Sequence, residues 1–367
     1  MNVAGQGIAV ETEEKTAGQK LIALILSIMP WAIVGALLYA GLFIKQEPVI
    51  EQVTPHAIDR RDIILGVSHV EGDTFLAAGN YGKILISKDK GLNWELQNST
   101  IDTHFQDVTT WDANRSVAVG NLGRVVVTED GGNTWKEVEA PKSDVSNKLI
   151  RVHAYPNGEA LAVGEMGTVI QSTDYGNTWS RLREEEDVFF NDIVRVDENT
   201  IVIAAEFGNI YRSADNGETW ETITTDSPNS FMAIDFRDAL NGVAVGLAGA
   251  IVATEDGGVT WVYHDTSQPK PLKESVAGLA VGASESNTEH LMDVAWSATE
   301  NEWVVVGNKG RWMTFSAAID AFDIRTLSDT DFTSHSELAL TDDGFLAVGE
   351  TEGYMDLKTR AWNLLHN

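Results

Sequence analysis

A sixteen-residue unit recurs five times in this chain with identical internal spacing, and no other feature limits the fold as strongly. In Gly120-Asn121-Leu122-Gly123-Arg124-Val125-Val126-Val127-Thr128-Glu129-Asp130-Gly131-Gly132-Asn133-Thr134-Trp135, the first glycine is followed by Gly123, Thr128, Asp130, Gly132 and Trp135 at offsets 3, 8, 10, 12 and 15. Gly79, Gly82, Ser87, Asp89, Gly91 and Trp94 keep those offsets, as do Gly164, Gly167, Ser172, Asp174, Gly176 and Trp179. So do Ala205, Gly208, Ser213, Asp215, Gly217 and Trp220, and Gly246, Gly249, Thr254, Asp256, Gly258 and Trp261. The paired glycines read as a tight turn, the β-branched run as a strand and the Asp/Gly cluster as a second turn, with the tryptophan opening the next strand.

Successive first positions lie 41, 44, 41 and 41 residues apart. Two further strands fit before each glycine turn, such as 107–111 and 116–119. A period near 42 with four strands predicts a β-propeller. Two degenerate copies, at 303–310 and at 345–349 followed by Gly353 and Trp362, bring the count to seven. Six or eight blades, and the way the ring closes, stay open; Val49 to Val53 can add an outer strand to the last blade. The expected fold is all-β: a seven-bladed β-propeller of four-stranded blades behind one N-terminal transmembrane helix.

The Ser/Thr-x-Asp-x-Gly-x-Thr-Trp pattern resembles the Asp-box of BNR-repeat proteins. With the preceding Gly-x-x-Gly, the unit resembles the Ycf48-like propeller family, in its membrane-anchored bacterial branch. The resemblance runs from about Asp62 to the C-terminus. It implies a hairpin staple for the twenty Asp-box residues named above, and it is poor evidence for any activity, because Asp-boxes occur in sialidases and in many non-enzymes.

Formal net charge is −29, and residues 1–45 carry three acids and three bases, so the whole excess lies beyond them. A domain this acidic repels phosphate backbones and excludes nucleic acid as an expected partner. There is no cysteine, hence no disulfide or thiolate chemistry. The eight histidines show no metal-ligand spacing, and no metal or other cofactor is expected.

Residues 1–20 read as a cytoplasmic tail, 21–44 as a transmembrane anchor, 45–61 as a linker and 62–367 as the propeller. Leu21 to Ile44 is an uncharged apolar run of 24 residues, longer than a signal-peptide core and long enough to span a bilayer. Lysines and arginines flank it on both sides, so charge does not orient it; the resemblance implies an inner-membrane anchor with a periplasmic propeller. Ala32, Ala36 and Ala40 share one helix face and offer a packing surface to another transmembrane helix. An insertion at about 266–288 carries Val276, Leu279 and Val281.

The Asp-box turns and the Gly-x-x-Gly turns fall on opposite faces of such a propeller. Uniform Asp-boxes point to structure and varied glycine turns to recognition. The partner-binding candidates are therefore Tyr81, Leu122, Met166, Phe207, Leu247 and Lys309, with Val276, Leu279 and Val281 of the insertion. Phe105, Leu149, Phe190, Phe231 and Leu291 open the first strands and are expected to pack between blades. Asp107, Asp192 and Asp293 follow two residues later, as a carboxylate cluster at the channel mouth or, by preference, as turn caps. Arg124, Arg151 and Arg311 are a candidate anion-binding set on one face. A sialidase-like hydrolase would need three convergent arginines and a Phe/Tyr-Arg-Ile-Pro motif, and that motif is absent, so a non-enzyme is expected. The resemblance implies a scaffold or accessory subunit for a multi-span inner-membrane protein, an RND/MMPL-type exporter first, with photosystem II assembly and glycoside hydrolysis as alternatives.

Overall fold

The computed structural model describes residues 16–43, 57–59, 61–267, 286–328 and 332–365. The chain divides into two units, Met1–Pro55 and His56–Asn367. In the first, helix α1 spans Ala17–Phe43 with Pro30 inside it. It starts four residues before the apolar run because Thr16 and Gln19 form a reciprocal cap: the Thr16 N–H donates to Gln19 Oε1 at 3.0 Å and the Gln19 N–H to Thr16 Oγ1 at 3.4 Å. Its 26 residues from Ala17 to Leu42 are apolar enough to cross a membrane; a helix that long measures about 39 Å. Length and composition fit an anchor or a signal sequence alike.

The second unit is a ring of seven four-stranded antiparallel sheets among the described residues, each built from four consecutive strands. The inner strands are Ile64–Glu71, Phe105–Thr110, Leu149–Tyr155, Phe190–Arg195, Phe231–Phe236, Leu291–Ser297 and His335–Leu340. Seven blades are thus the count, and six and eight are ruled out. The second strands are almost wholly apolar and buried on both faces, as central strands sandwiched between neighbouring sheets must be. Each apolar cluster joins two successive blades; Phe105, for example, packs with Ala78 and Ile84 of blade 1. The opening residues Phe105, Leu149, Phe190, Phe231 and Leu291 are all buried, in agreement with packing between blades.

Ring closure uses the same means. Blade 7 consists of 335–364 and lends no strand to blade 1. Ile64, Val67 and Phe75 pack with Leu346 and Val348 across the seam. Ser336 Oγ donates to the Leu65 carbonyl at 3.0 Å, and Lys90 Nζ to Asp343 Oδ2 at 2.6 Å. The outer strand expected from Val49 to Val53 lies outside the described residues.

The Asp-boxes are hairpin staples in all five copies. The Ser/Thr hydroxyl donates to the aspartate at 2.8–2.9 Å and accepts from the glycine N–H at 2.8–3.0 Å. The aspartate then accepts the N–H four residues on at 2.8–2.9 Å. The glycine is required twice over. Gly176 has φ +77°, and a Cβ there would sit 2.8 Å from Val127 Cγ1 of the preceding blade. The degenerate sixth and seventh blades keep side-chain-capped turns by other residues: Ser316 to Asp320 at 3.1 Å, and the Thr359 N–H to Asp356 at 2.8 Å.

Residues 268–285, with Val276, Leu279 and Val281, lie outside the described residues, but both ends of the insertion are defined. Thr266 Oγ1 makes a 2.8 Å bond to the Gly249 carbonyl and 2.9 Å to the Asn287 carbonyl, while the Asn287 N–H donates to the Thr266 carbonyl at 2.9 Å. In the uninterrupted connection after blade 1, Ser99 Oγ bonds the Gly82 carbonyl at 2.6 Å and the Ile101 carbonyl at 3.2 Å. Asn287 therefore stands where Ile101 stands, and the extra chain leaves and returns at one closed, buried base. Replacing 268–285 by two or three glycines is expected to leave the propeller folded, with a melting temperature within about 3 °C of the parent, since loop length enters closure entropy only logarithmically. A large loss of stability would show that the insertion is part of the core.

Candidate functional site

Two constellations stand out: a buried charged cluster in the channel and a set of exposed apolar tips on the face of the glycine turns.

The channel cluster follows from the register of the inner strands. Each carries a bulge after its first residue, so that, for example, Phe105 pairs with Gly120 but Asp107 with Val119. The same shift occurs in every blade. The third residue is thereby aimed at the axis; in chain order these are Gly66, Asp107, Arg151, Asp192, Ala233, Asp293 and Glu337. Asp107 Oδ2 accepts the Val152 N–H of the next blade at 2.8 Å, Asp192 Oδ2 the Ile234 N–H at 2.9 Å, and Asp293 Oδ2 the Leu338 N–H at 2.8 Å. Blade 5 has alanine at this position, and Asp235, two residues on, accepts the Trp296 N–H at 2.8 Å instead. The three sequence-identified aspartates are therefore blade-to-blade ties and not turn caps.

Arg151 crosses this ring. Its Nη1 lies 2.7 Å from Glu337, Nη2 3.9 Å from Asp293 and Nε 3.8 Å from Asp192. His153 Nε2 bonds Asp192 Oδ1 at 2.8 Å. Blade 1 contributes Gly66, where a Cβ would lie 2.5 Å from the Asp107 Cα. The proposed arginine set does not converge. Arg151 is enclosed by carboxylates, Arg124 is bound to Glu137 in its own blade, and Arg311 opens the third strand of blade 6. The carboxyls of Asp192, Asp293 and Glu337 already occupy the guanidinium and leave no place for an anion at Arg151. His153, Asp235 and Glu337 escaped the sequence reading, although counting from the opening residue of each strand finds them: Glu337 is two residues after His335, as Asp107 is after Phe105.

Five carboxyls against one guanidinium and one imidazole cannot all be charged cheaply in a buried space. Burial pushes Asp293 up to about 7, against the pull of Arg151, and Asp235 up to about 6, against its backbone hydrogen bonds. Burial likewise raises Glu337 and Asp107. Asp192 is the exception. Burial acts upward there too, but the charges of His153 and Arg151 and the His153 bond outweigh it, and its carboxyl is held below its ordinary value.

On the turn face, the two central residues of each Gly-x-x-Gly have different jobs. The first ties the turn to the incoming connection: Asn80 Oδ1 accepts the Ile63 N–H at 3.2 Å, Glu165 the Lys148 N–H at 3.0 Å, and Glu206 the Phe189 N–H at 3.4 Å. The second is left-handed in every case, at Tyr81, Leu122, Met166, Phe207, Ala248 and Lys309, with φ between 54° and 61°. Leu247 thus belongs with the half-buried first residues, and Ala248 holds the tip of blade 5; an apolar first residue in that turn misaligned the reading. Tyr81, Leu122 and Phe207 are 59, 67 and 70% exposed. Met166 is half-buried, and Lys309 is exposed and paired with Glu289 at 3.0 Å. Ile63, Val145 and Phe332 are also exposed in segments that enter or join blades on this face. The Asp-box face shows Leu92, Leu240 and Val259.

Residues 86–231 match the model of a family described as photosynthesis system II assembly factor YCF48. Among solved structures, the propeller superposes on YCF48 bound to a D1 peptide with TM-score 0.62, at 16% identity, over 78% of this chain and 89% of that one. YCF48 from Cyanidioschyzon merolae gives 0.60 at 13%, over 78% and 92%. The GH74 xyloglucanase from Xanthomonas campestris gives 0.64 at 12%, over 83% of this chain but 54% of that enzyme. At these identities the likeness is one of fold, which assembly factors and glycoside hydrolases share. No curated protein matches by sequence.

The channel predicts an inverted pH response. A carboxyl raised in the folded state adds stability that is complete below its unfolded value, near 3.8, and lost as pH rises through the folded one. Asp130 and Asp215 act oppositely: the N–H and hydroxyl of Thr134 and Thr219 hold them low, and their contribution is lost below the ordinary carboxylate range. The melting temperature should rise by about 3–6 °C from pH 8 to pH 5.5 and fall again under stronger acid. Asp235→Asn with Asp293→Asn keeps one amide oxygen for each blade-to-blade N–H, gives up the acceptors of Phe236 and Val294, and should lose part of that rise, the rest coming from Glu337, Asp107 and His153. A flat wild-type profile, or an unchanged rise in the double variant, would contradict the assignment.

Proposed function

We propose that this chain, whose propeller resembles that of YCF48 in fold, is a non-catalytic binding protein that captures an extramembrane segment of an integral membrane protein on its turn face. The observation that carries this reading is the series of tips at Tyr81, Leu122, Met166 and Phe207. A left-handed residue other than glycine costs roughly 1–2 kcal/mol, and asparagine or aspartate is the usual substitute. Four consecutive blades hold a bulky apolar residue in that strained position, three of them strongly exposed. Neither core packing nor turn geometry calls for such residues, whereas contact with a partner does.

A non-enzymatic role is supported by the use made of the channel carboxyls. A glycosidase needs two carboxyls flanking an open site; here Asp107, Asp192 and Asp293 are buried and, with the half-buried Asp235, hold backbone N–H groups. The solved YCF48 with a D1 peptide lends the partner class, a peptide segment of another protein. An RND/MMPL-type exporter is the partner expected from the anchored branch of the family, and photosystem II the one carried by the matched relatives. We read α1 as an uncleaved anchor with the propeller on the periplasmic side, and Ala32, Ala36 and Ala40 as its contact with the partner's helices. Alkaline phosphatase fused after Asn367 should then be active in cells, and an inactive fusion would reverse the topology.

Glycine adopts positive φ without strain, so the triple variant Tyr81→Gly, Leu122→Gly, Phe207→Gly should melt no lower than the parent by more than about 2 °C. It should recover little of the membrane partner in a mild-detergent purification read by mass spectrometry. Undiminished recovery would remove the turn face from consideration, and the identity of the recovered protein decides between exporter and photosystem.

A further inference from the structure

The turn-face reading leaves the chemistry of the bound segment open, and one sector of the face narrows it. Between blades 2 and 4, three connections and three turns form a continuous patch, with Gly123 of the blade 2 turn beside Lys142 and Asn147. The Glu186 N–H donates to the Met166 carbonyl at 3.2 Å, and the Gly167 N–H to the Val188 carbonyl at 2.7 Å, seating 183–188 against the blade 3 tip. Ser143 Oγ donates to Glu185 at 2.9 Å, and Ser146 to Glu165, tying the 143–146 segment to both. The Phe207 N–H donates to Ser230 Oγ at 3.1 Å and the Thr225 N–H to the Gly208 carbonyl at 3.0 Å, which brings 225–230 to the blade 4 tip.

This patch alternates two chemistries. Its apolar elements are Leu122, Val145, Met166 and Phe207, of which Val145 is 74% exposed. The connections 139–148, 183–189 and 225–230 with the turns 164–167 and 205–208 hold nine acids and three bases, a local excess of acid around the tips. Part of that acid is structural, as Glu165 and Glu206 accept backbone N–H groups and Glu185 and Glu186 face Arg181 and Arg183. Asp144, Glu184, Asp187 and Asp226 are exposed and enter no hydrogen bond or ion pair among the described residues. Exposed acid without a structural partner, interleaved with strained apolar tips, is complementary to one kind of ligand.

We infer that the blade 2–4 sector takes a partner segment in which basic residues are interleaved with apolar ones, the tips holding the apolar side chains and Asp144, Glu184, Asp187 and Asp226 the basic ones. The inference rests on the turn face being the binding face. Long-range attraction to such a segment would also speed encounter and weaken with salt.

The test uses the full chain in mild detergent and fluorescein-labelled ten-residue peptides, read by anisotropy against protein-free micelles. One peptide alternates leucine and lysine, and the second leucine and glutamate. The leucine–lysine peptide should bind at least about tenfold more tightly and lose affinity in 0.5 M salt. The quadruple variant Asp144→Asn, Glu184→Gln, Asp187→Asn, Asp226→Asn should weaken it at least tenfold without lowering the melting temperature. Matched neutralisation on the Asp-box face, Glu71→Gln, Glu129→Gln, Glu218→Gln, Glu255→Gln, should leave it unchanged. Equal binding of both peptides, each lost in Leu122→Gly with Phe207→Gly, would keep the face and overturn the basic partner. Binding indifferent to the tips, or equally weakened by neutralising either face, would mean general attraction to an acidic protein and would overturn the inference outright.

Discussion

The ring depends on how its inner strands satisfy their free edges. Each inner strand pairs with one neighbour only, so alternate N–H groups face the channel with no ladder partner, and a buried orphan donor is costly. The preceding blade supplies the acceptor: Asp107 for Val152, Thr109 for Ala154, Tyr155 for Arg195, Asp192 for Ile234, Asp235 for Trp296 and Asp293 for Leu338. These bonds run the same way round and position each blade against the next without exchange of a strand. They also concentrate carboxyls at the axis. Arg151 and His153 compensate part of that charge, and retained protons compensate more. Blade order, the central arginine and the raised carboxyls are thus one physical arrangement seen at three scales.

Much of this is legible in the sequence. Serine or threonine, aspartate and glycine at fixed offsets specify a hairpin staple by local chemistry alone, which is why five blades and their strand order follow from spacing, while the two degenerate copies leave the count between six and eight until the sheets are seen. The apolar span of α1 was equally plain, and its true start was written in Thr16 and Gln19, a cap outside the apolar run. What spacing could not convey is rotation about the inner strand. Strict alternation puts Asp107 on the same side as buried Phe105, and the bulge between them turns the carboxyl to the axis. Turn capping was the natural expectation for an aspartate near a strand's start, and it fails for that reason. Leu247 fails for a related one. Residue type suggested a tip, but backbone conformation assigns the tip to Ala248 at φ +54°.

The two faces of the propeller use positive φ differently. On the Asp-box face, two left-handed positions follow one another: the second is glycine in all five boxes, as at Gly91, Gly132 and Gly176, while the first holds Lys90, Gly131, Tyr175, Asn216 and Gly257. At the second position conformation and neighbour contact both require glycine; at the first the residue type varies, and Tyr175 there packs on Trp111. On the turn face, the corresponding position holds tyrosine, leucine, methionine, phenylalanine, alanine and lysine. The conformation is just as demanding, yet the side chains differ from blade to blade. A fold that already has glycine at hand for this geometry gains no stability by replacing it with phenylalanine.

That contrast also bears on where the chain's acid sits. The aspartates of the Asp-boxes serve the hairpins: the donors of each box hold its aspartate charged, and the charge stabilises the turn that carries it. Acid at the axis serves the blade contacts and tends toward its neutral form. The exposed carboxyls at Asp144, Glu184, Asp187 and Asp226 do neither, since no donor on the described chain engages them. A surface acid costs little in water and promotes solubility, so isolation alone would not make it functional. Position does: these four flank the tips whose conformation already runs against stability, and the two departures from structural economy coincide on one sector of one face.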